Sequence, residues 1–159
     1  MTMSKTDSLH YDLCRMAATW IRQPKNKEKW HSPYNLSTVE LVCYGVCLPD
    51  VYATNGEISA IIEVKTSHSD YERDGAKYSL LKPDRAIGDF RYYLCPENII
   101  KIDELPPYWG LLYYKDGKIK KIRSAIRQPC DRTLDMFVLM SIMRREGLLG
   151  KTYNYRKQE

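Results

Sequence analysis

At 159 residues, with 43% hydrophobic and 28% charged side chains, the chain is long enough to bury one core and too short for two full-sized domains. No stretch has the apolar length needed to span a bilayer, and the N-terminus lacks the basic-then-apolar pattern of a secretory signal, so the cytoplasm is the expected compartment and no membrane partner is expected. Five cysteines, Cys14, Cys43, Cys47, Cys95 and Cys130, are an odd number at irregular spacings, which argues against a disulfide framework and against paired zinc knuckles.

Between Ser8 and Arg22 the residues Leu9, Leu13, Met16, Ala17, Trp20 and Ile21 recur at three- and four-residue steps behind Asp7 and Ser8, predicting an amphipathic helix capped there. The stretch Gln23 to Ser37, with Pro24, Pro33 and three lysines, reads as an exposed loop whose Trp30 and Tyr34 are free to stack on a partner. Thr38 to Thr54, rich in Val, Leu, Cys and Tyr, reads as two strands. Asn55-Gly56 then predicts a hairpin between Val51–Thr54 and Ile58–Lys65. A second helix is expected from the Ser67–Asp70 caps to about Leu81, weakened by Gly75. Strands follow at Phe90–Cys95, Trp109–Tyr114 and Lys118–Ile126, the last two joined across Lys115-Asp116-Gly117. A closing helix over Thr133–Arg145 carries Leu134, Met136, Phe137, Leu139, Met140, Ile142 and Met143, enough to cover a sheet face. The whole reads as one domain over 1–159, with its core at about 8–127 and the last helix at 133–145.

The net charge of +5 is modest, but its distribution is uneven. Lys115, Lys118, Lys120, Lys121, Arg123 and Arg127 crowd one stretch with Asp116 as the only acid. Such a run suits a phosphate backbone or an ordinary solvated surface. Lys120 and Arg123 are the binding candidates there. Arg73 and Lys77, four residues apart on the second helix, either face a nucleic acid or form that helix's wet side.

The chemistry concentrates at the first hairpin. Strand side chains alternate, so Glu63 and Lys65 share one face while Ile62 and Val64 point into the core. Asp50 begins the partner arm, and antiparallel arms of similar length return to one edge, which brings Asp50 to Glu63. Two carboxylates about one cation make the oxygen-rich setting that Mg²⁺ or Mn²⁺ prefers, with the Val64 carbonyl as a further candidate ligand. Lys65 is placed to meet a metal-activated water or the phosphate that it attacks. Read apart from this context, Glu63 and Lys65 are an ordinary solvated pair on an edge strand and Asp50 a turn residue.

Pro49-Asp50, twelve intervening residues and Glu63-Val64-Lys65 at the end of an apolar strand resemble the signature of the PD-(D/E)xK nuclease superfamily. The run Ile61-Ile62-Glu63-Val64-Lys65-Thr66-Ser67, then Asp89-Phe90-Arg91-Tyr92-Tyr93-Leu94-Cys95-Pro96-Glu97, then Trp109-Gly110-Leu111-Leu112-Tyr113 is similar to the MmcB-type group of DNA-repair proteins. The resemblance covers roughly Thr38 to Ala125. It implies a restriction-endonuclease-like α/β core, a central mixed sheet of about five or six strands flanked by helices. It further implies a Mg²⁺-dependent site in which Asp50, Glu63 and Lys65 are catalytic, with DNA as the preferred partner. Superfamily members often place another carboxylate in the first helix, where this chain offers only Asp12 beside His10; Glu40, on the first strand, is another candidate metal ligand for that role. Two other readings stand beside this one: a non-catalytic nucleic-acid-binding or assembly module, and a restriction-type or structure-selective endonuclease whose recognition would need a homodimer or an added reading element.

Overall fold

The computed structural model describes residues 4–41, 49–79 and 83–156, with the side chains of residues 6, 75–79 and 83 outside that description. Helix α1 runs Lys5–Ile21 and is capped by Ser4, whose Oγ accepts the Asp7 N–H at 3.1 Å. It therefore starts almost a turn before the cap predicted at Asp7 and Ser8, because a serine three residues ahead of an acid satisfies the free helix N–H groups equally well. Strand β1 is Leu36–Val39, β2 Val51–Thr54 and β3 Ser59–Val64; helix α2 is His68–Ser79; β4 is Phe90–Pro96, β5 Gly110–Lys115 and β6 Lys118–Arg123; helix α3 is Arg132–Arg145. Cys43 and Cys47 lie outside the described residues.

The six strands form one mixed sheet in chain order, β1-β2-β3-β4-β5-β6. The pairs β1–β2, β2–β3 and β5–β6 are antiparallel, and β3–β4 and β4–β5 are parallel. The expected mixed α/β architecture is thus present. Alternation sorts the side chains. Val51, Ala53, Ala60, Ile62, Val64, Tyr92 and Leu94 pack beneath α1 with Leu13, Cys14, Ala17 and Ile21. On the other face Tyr52, Ile61, Tyr93, Leu111 and Tyr113 meet Tyr71 of α2 and Val138 of α3. All six residues of β3 are buried, so this strand is the middle of both cores.

Two glycines serve the sheet directly. Asp116 and Gly117, both at positive φ (50° and 76°), make the tight turn from β5 to β6. Gly110 passes so close to β4 that a Cβ would lie 2.4 Å from the Tyr92 ring.

Two expectations are corrected. The segment after α1 is not a free loop: Tyr34 is buried, and Glu28 Oε1 accepts the hydroxyls of Tyr92 at 2.7 Å and Tyr34 at 3.4 Å. Of the two rings thought free to stack, only Trp30 is exposed. Helix α3 covers the sheet along a narrow stripe rather than a broad face. Val138 is buried and Leu134 and Ile142 half-buried, while Met136, Phe137, Met140 and Met143 are exposed. A helix apolar all round presents only one side to a sheet, and α3 is oriented by polar contacts at its start, where Tyr52 donates to Asp135 Oδ1 at 2.6 Å.

The turn before β4 is held by Asp89, buried opposite Ser59. It accepts the Ser59 N–H at 2.8 Å, Arg127 Nε at 3.1 Å and Arg132 Nη2 at 2.9 Å, joining β3 to the segment that leads into α3. Burial alone would raise its pKa, but the Ser59 N–H and the two guanidinium groups outweigh it and the carboxyl titrates below its ordinary 3.8. Asp89→Ala leaves these donors without an acceptor. It is expected to cost about 3 kcal/mol, the low end for a broken buried pair because both arginines reach solvent. A carboxylate with a lowered folded-state pKa stabilises at pH above its unfolded value and ceases to as pH falls through the folded one. The gap between denaturant melts of wild type and variant should therefore begin to close as pH falls below about 4 and go on closing through the lower folded value.

Candidate metal centre

The centre begins with backbone register. Val51 pairs with Ile62, so Asp50, one residue outside the ladder, stands opposite Glu63. Asp50 Oδ2 accepts the Val64 N–H at 2.8 Å, fixing the carboxylate across the end of β3. The Lys65 N–H continues the strand by donating to the Leu94 carbonyl at 2.9 Å. Glu63 and Lys65 are 3% and 6% exposed. That burial excludes the solvated surface pair as their explanation, because ionised groups leave water only where partners replace it. The Lys65 ammonium forms an ion pair with Asp74 of α2.

Helix α1 closes the other side. His10 lies on the stripe that carries Leu13, Cys14 and Ala17, and reaches the same carboxylate: Nε2 is 3.4 Å from Asp50 Oδ2 and Nδ1 is 3.5 Å from Glu40 Oε1. Cys14 Sγ lies 3.8 Å from His10 Nδ1. Burial on its own would raise the Asp50 pKa, but the His10 contact, the Val64 N–H and the charges of His10 and Lys65 outweigh it and hold the carboxyl below its usual value. The same contact with Asp50, aided by the charges of Asp50, Glu40 and Asp70, raises the His10 pKa in spite of partial burial. Burial, reinforced by Asp50, Glu40 and Glu63, pushes the Cys14 thiol far up.

The donor chemistry fits a divalent cation. Asp50, Glu63 and the Val64 carbonyl at the end of β3 offer hard oxygen ligands of the kind Mg²⁺ and Mn²⁺ take. Among the described residues, ligand atoms of His10, Cys14 and Asp50 fall within 4.8 Å of one another, with Asp50 common to both sets; Glu63 is not part of that triplet. A nitrogen and a sulfur beside carboxylates widen the acceptable metals toward the first-row transition series.

Sequence reasoning located Asp50, Glu63, Lys65 and Glu40 at this edge but missed His10, Cys14 and Asp74. The available signals were a histidine on the buried stripe of a helix and the Asp70/Asp74 spacing of four on α2. The nucleic-acid candidates fare less well. Arg73 is exposed and sits 3.8 Å from Asp70, on the wet side of α2. The Lys77 side chain lies outside the described residues. Lys120 pairs with Tyr113 and faces away from α1, and Arg123 closes β6 at the edge of the sheet remote from Asp50.

The His10–Asp50 contact has a direct spectroscopic consequence. In metal-free protein His10 should titrate above its ordinary 6.5, and Asp50→Asn should bring it down. Its raised pKa stabilises the fold at pH below 6.5 and ceases to as pH rises through the folded value. Histidine proton shifts followed by NMR against pH would check both, and an unchanged midpoint in the variant would refute the assigned cause.

No protein-family model matches the chain, and no curated protein matches it. Among solved structures, SPO1766, a protein of unknown function from Silicibacter pomeroyi, superposes with a TM-score of 0.52 at 20% identity, over 77% of this chain and 85% of that one. That likeness is one of fold: the mixed sheet and its flanking helices recur in another protein.

Proposed function

We propose that this chain is a divalent-metal-dependent nuclease that hydrolyses DNA phosphodiester bonds, in the setting of repair, recombination or processing. The observation that carries the reading is the placement of Asp50 opposite Glu63, with Lys65 buried next along the same strand end. The resemblance of these residues to the PD-(D/E)xK signature supports it, with Mg²⁺ or Mn²⁺ as the cofactor.

In this reading Asp50, Glu63 and the Val64 carbonyl hold the ion. When bound, it lowers the pKa of a water and offsets charge on the leaving oxygen. Asp50 is ready for that work as an ionised carboxylate pinned by the Val64 N–H. His10 stands between Asp50 and Glu40, 3.4 and 3.5 Å from their oxygens, and a cation held there would compete with its proton. Lys65 stabilises negative charge on the phosphate, and Asp74 fixes where its ammonium stands.

One observation favours the second reading, a module that binds nucleic acid without cutting it. Lys65 is already neutralised by Asp74, and a lysine so engaged has less charge to offer a phosphate.

Digestion of single-stranded, duplex and branched DNA with Mg²⁺ or Mn²⁺ tests both. Lys65→Ala should slow cleavage by about 100-fold or more, Asp50→Asn and Glu63→Gln should abolish it, and EDTA should stop it. Asp74→Asn separates the roles of the pair. A slower enzyme means that Asp74 positions Lys65, and a faster one means that it restrains it. If wild-type protein binds but cuts nothing with either metal, the binding module is correct.

A further inference from the structure

A cavity of about 600 Å³ opens between the C-terminal half of α1 and the β5–β6 turn. Its walls include the cations Arg15, Lys25 and Lys118, the apolar Met16 and Ile119, and the half-exposed ring of Trp20, with no acidic residue among the lining. Beside it, Lys121 Nζ sits 5.9 Å from the Trp20 ring centroid and 5.8 Å from that of Tyr92. Glu28, buried against Tyr92 and acting on Lys121, anchors this side of the groove from within.

We propose that this groove binds single-stranded nucleic acid, with an unpaired base stacked on Trp20 and its phosphates on Arg15, Lys25, Lys118 and Lys121. The combination is what a nucleotide needs: a π-face for the base, apolar flanks for its edges and, along the cavity wall itself, cations with no acid among the lining residues. A duplex keeps its base faces inside the stack, so only an unpaired strand presents one to Trp20.

Location supports a shared substrate. The parallel strands β3, β4 and β5 all end at the edge of the sheet that holds Asp50 and Glu63, and the turn at Gly117 leaves from that same edge. Two to three strand spacings separate β3 from the groove, about 10–15 Å, a span of a few nucleotides of unpaired strand at most. Helix α1 contributes to both places, His10 and Cys14 to the centre and Arg15 through Trp20 to the groove. The role of the groove as a track to a cutting site rests on the nuclease reading, whereas binding in it does not.

The test uses the full chain in EDTA, so that nothing is cut, with labelled oligothymidylate of about 15 nucleotides and a duplex of equal length followed by fluorescence anisotropy. Wild type should prefer the single strand. Trp20→Ala should weaken that binding about tenfold, and Trp20→Phe, the milder change should alanine fail to fold, should weaken it less. Lys118→Gln with Lys121→Gln should reduce the slope of log affinity against log salt by about 1.4, at about 0.7 per phosphate contact. Arg144→Gln with Lys151→Gln removes the same charge from exposed positions elsewhere and should leave affinity within about twofold. In a Trp30→Phe background, the oligonucleotide should quench Trp20 emission, since Trp109 is buried. A duplex preference, an unchanged affinity in both Trp20 variants or an unquenched Trp20 would overturn the proposal. Wild-type protein that binds in the groove and, given Mg²⁺ or Mn²⁺, never cuts refutes the nuclease and leaves the groove standing.

Discussion

A carboxylate withdrawn from water must be given charge or hydrogen-bond donors, and Asp50 receives both from separate elements. The Val64 N–H comes from β3, the imidazole of His10 from α1, and the positive charge of Lys65 from just beyond β3. One side chain thereby ties the first helix to the strand at the centre of the sheet. The site exists at this place because β3 is buried on both faces: polar side chains on such a strand are tolerable only where the ladder ends and neighbouring loops and helices can supply partners.

The two ends of β3 solve the same problem in different currencies of charge. At its start Asp89 accepts the Ser59 N–H and is balanced by Arg127 and Arg132, and at its end Asp50 accepts the Val64 N–H and is balanced by His10 and Lys65. Guanidinium groups do not titrate in the working range of a protein, so the Asp89 cluster is a permanent fastening of β3 to the segment before α3. Histidine does titrate there. The two ends of one strand therefore differ in what balances their carboxylates, fixed guanidinium charge at one and a titratable imidazole with an ammonium at the other.

Much of this was legible in the sequence, for a definite reason. The Asn55-Gly56 turn and the period-two alternation around Ile62 and Val64 are local, and together they fix which side chains share a face and which ends meet. Asp50, Glu63 and Lys65 follow from that. His10 and Asp74 do not, because each arrives on a helix whose rotation and docking are settled by packing against the sheet, and neither spacing nor composition states which turn will face the strand end. Glu28 and Tyr34 escaped for a related reason. Their surroundings look like a polar loop until Tyr92, distant in sequence, supplies a buried partner. The exposed side of α3 shows the opposite failure, since apolar residues on every side of a helix say nothing about which of them the sheet will choose.

The agreement between spatial order and chain order across all six strands carries a consequence for synthesis on the ribosome. Each new strand emerges to find its immediate neighbour already made, so the sheet can grow by addition at one margin without waiting for a distant partner. Every residue of the candidate centre lies between His10 and Asp74, in the first half of the chain. Its full enclosure nevertheless awaits β4, whose Leu94 carbonyl receives the Lys65 N–H. The vectorial assembly of the protein would thus create the charged cluster early and seal it one strand later, leaving the basic β5–β6 hairpin and α3 to be laid on a nearly finished core.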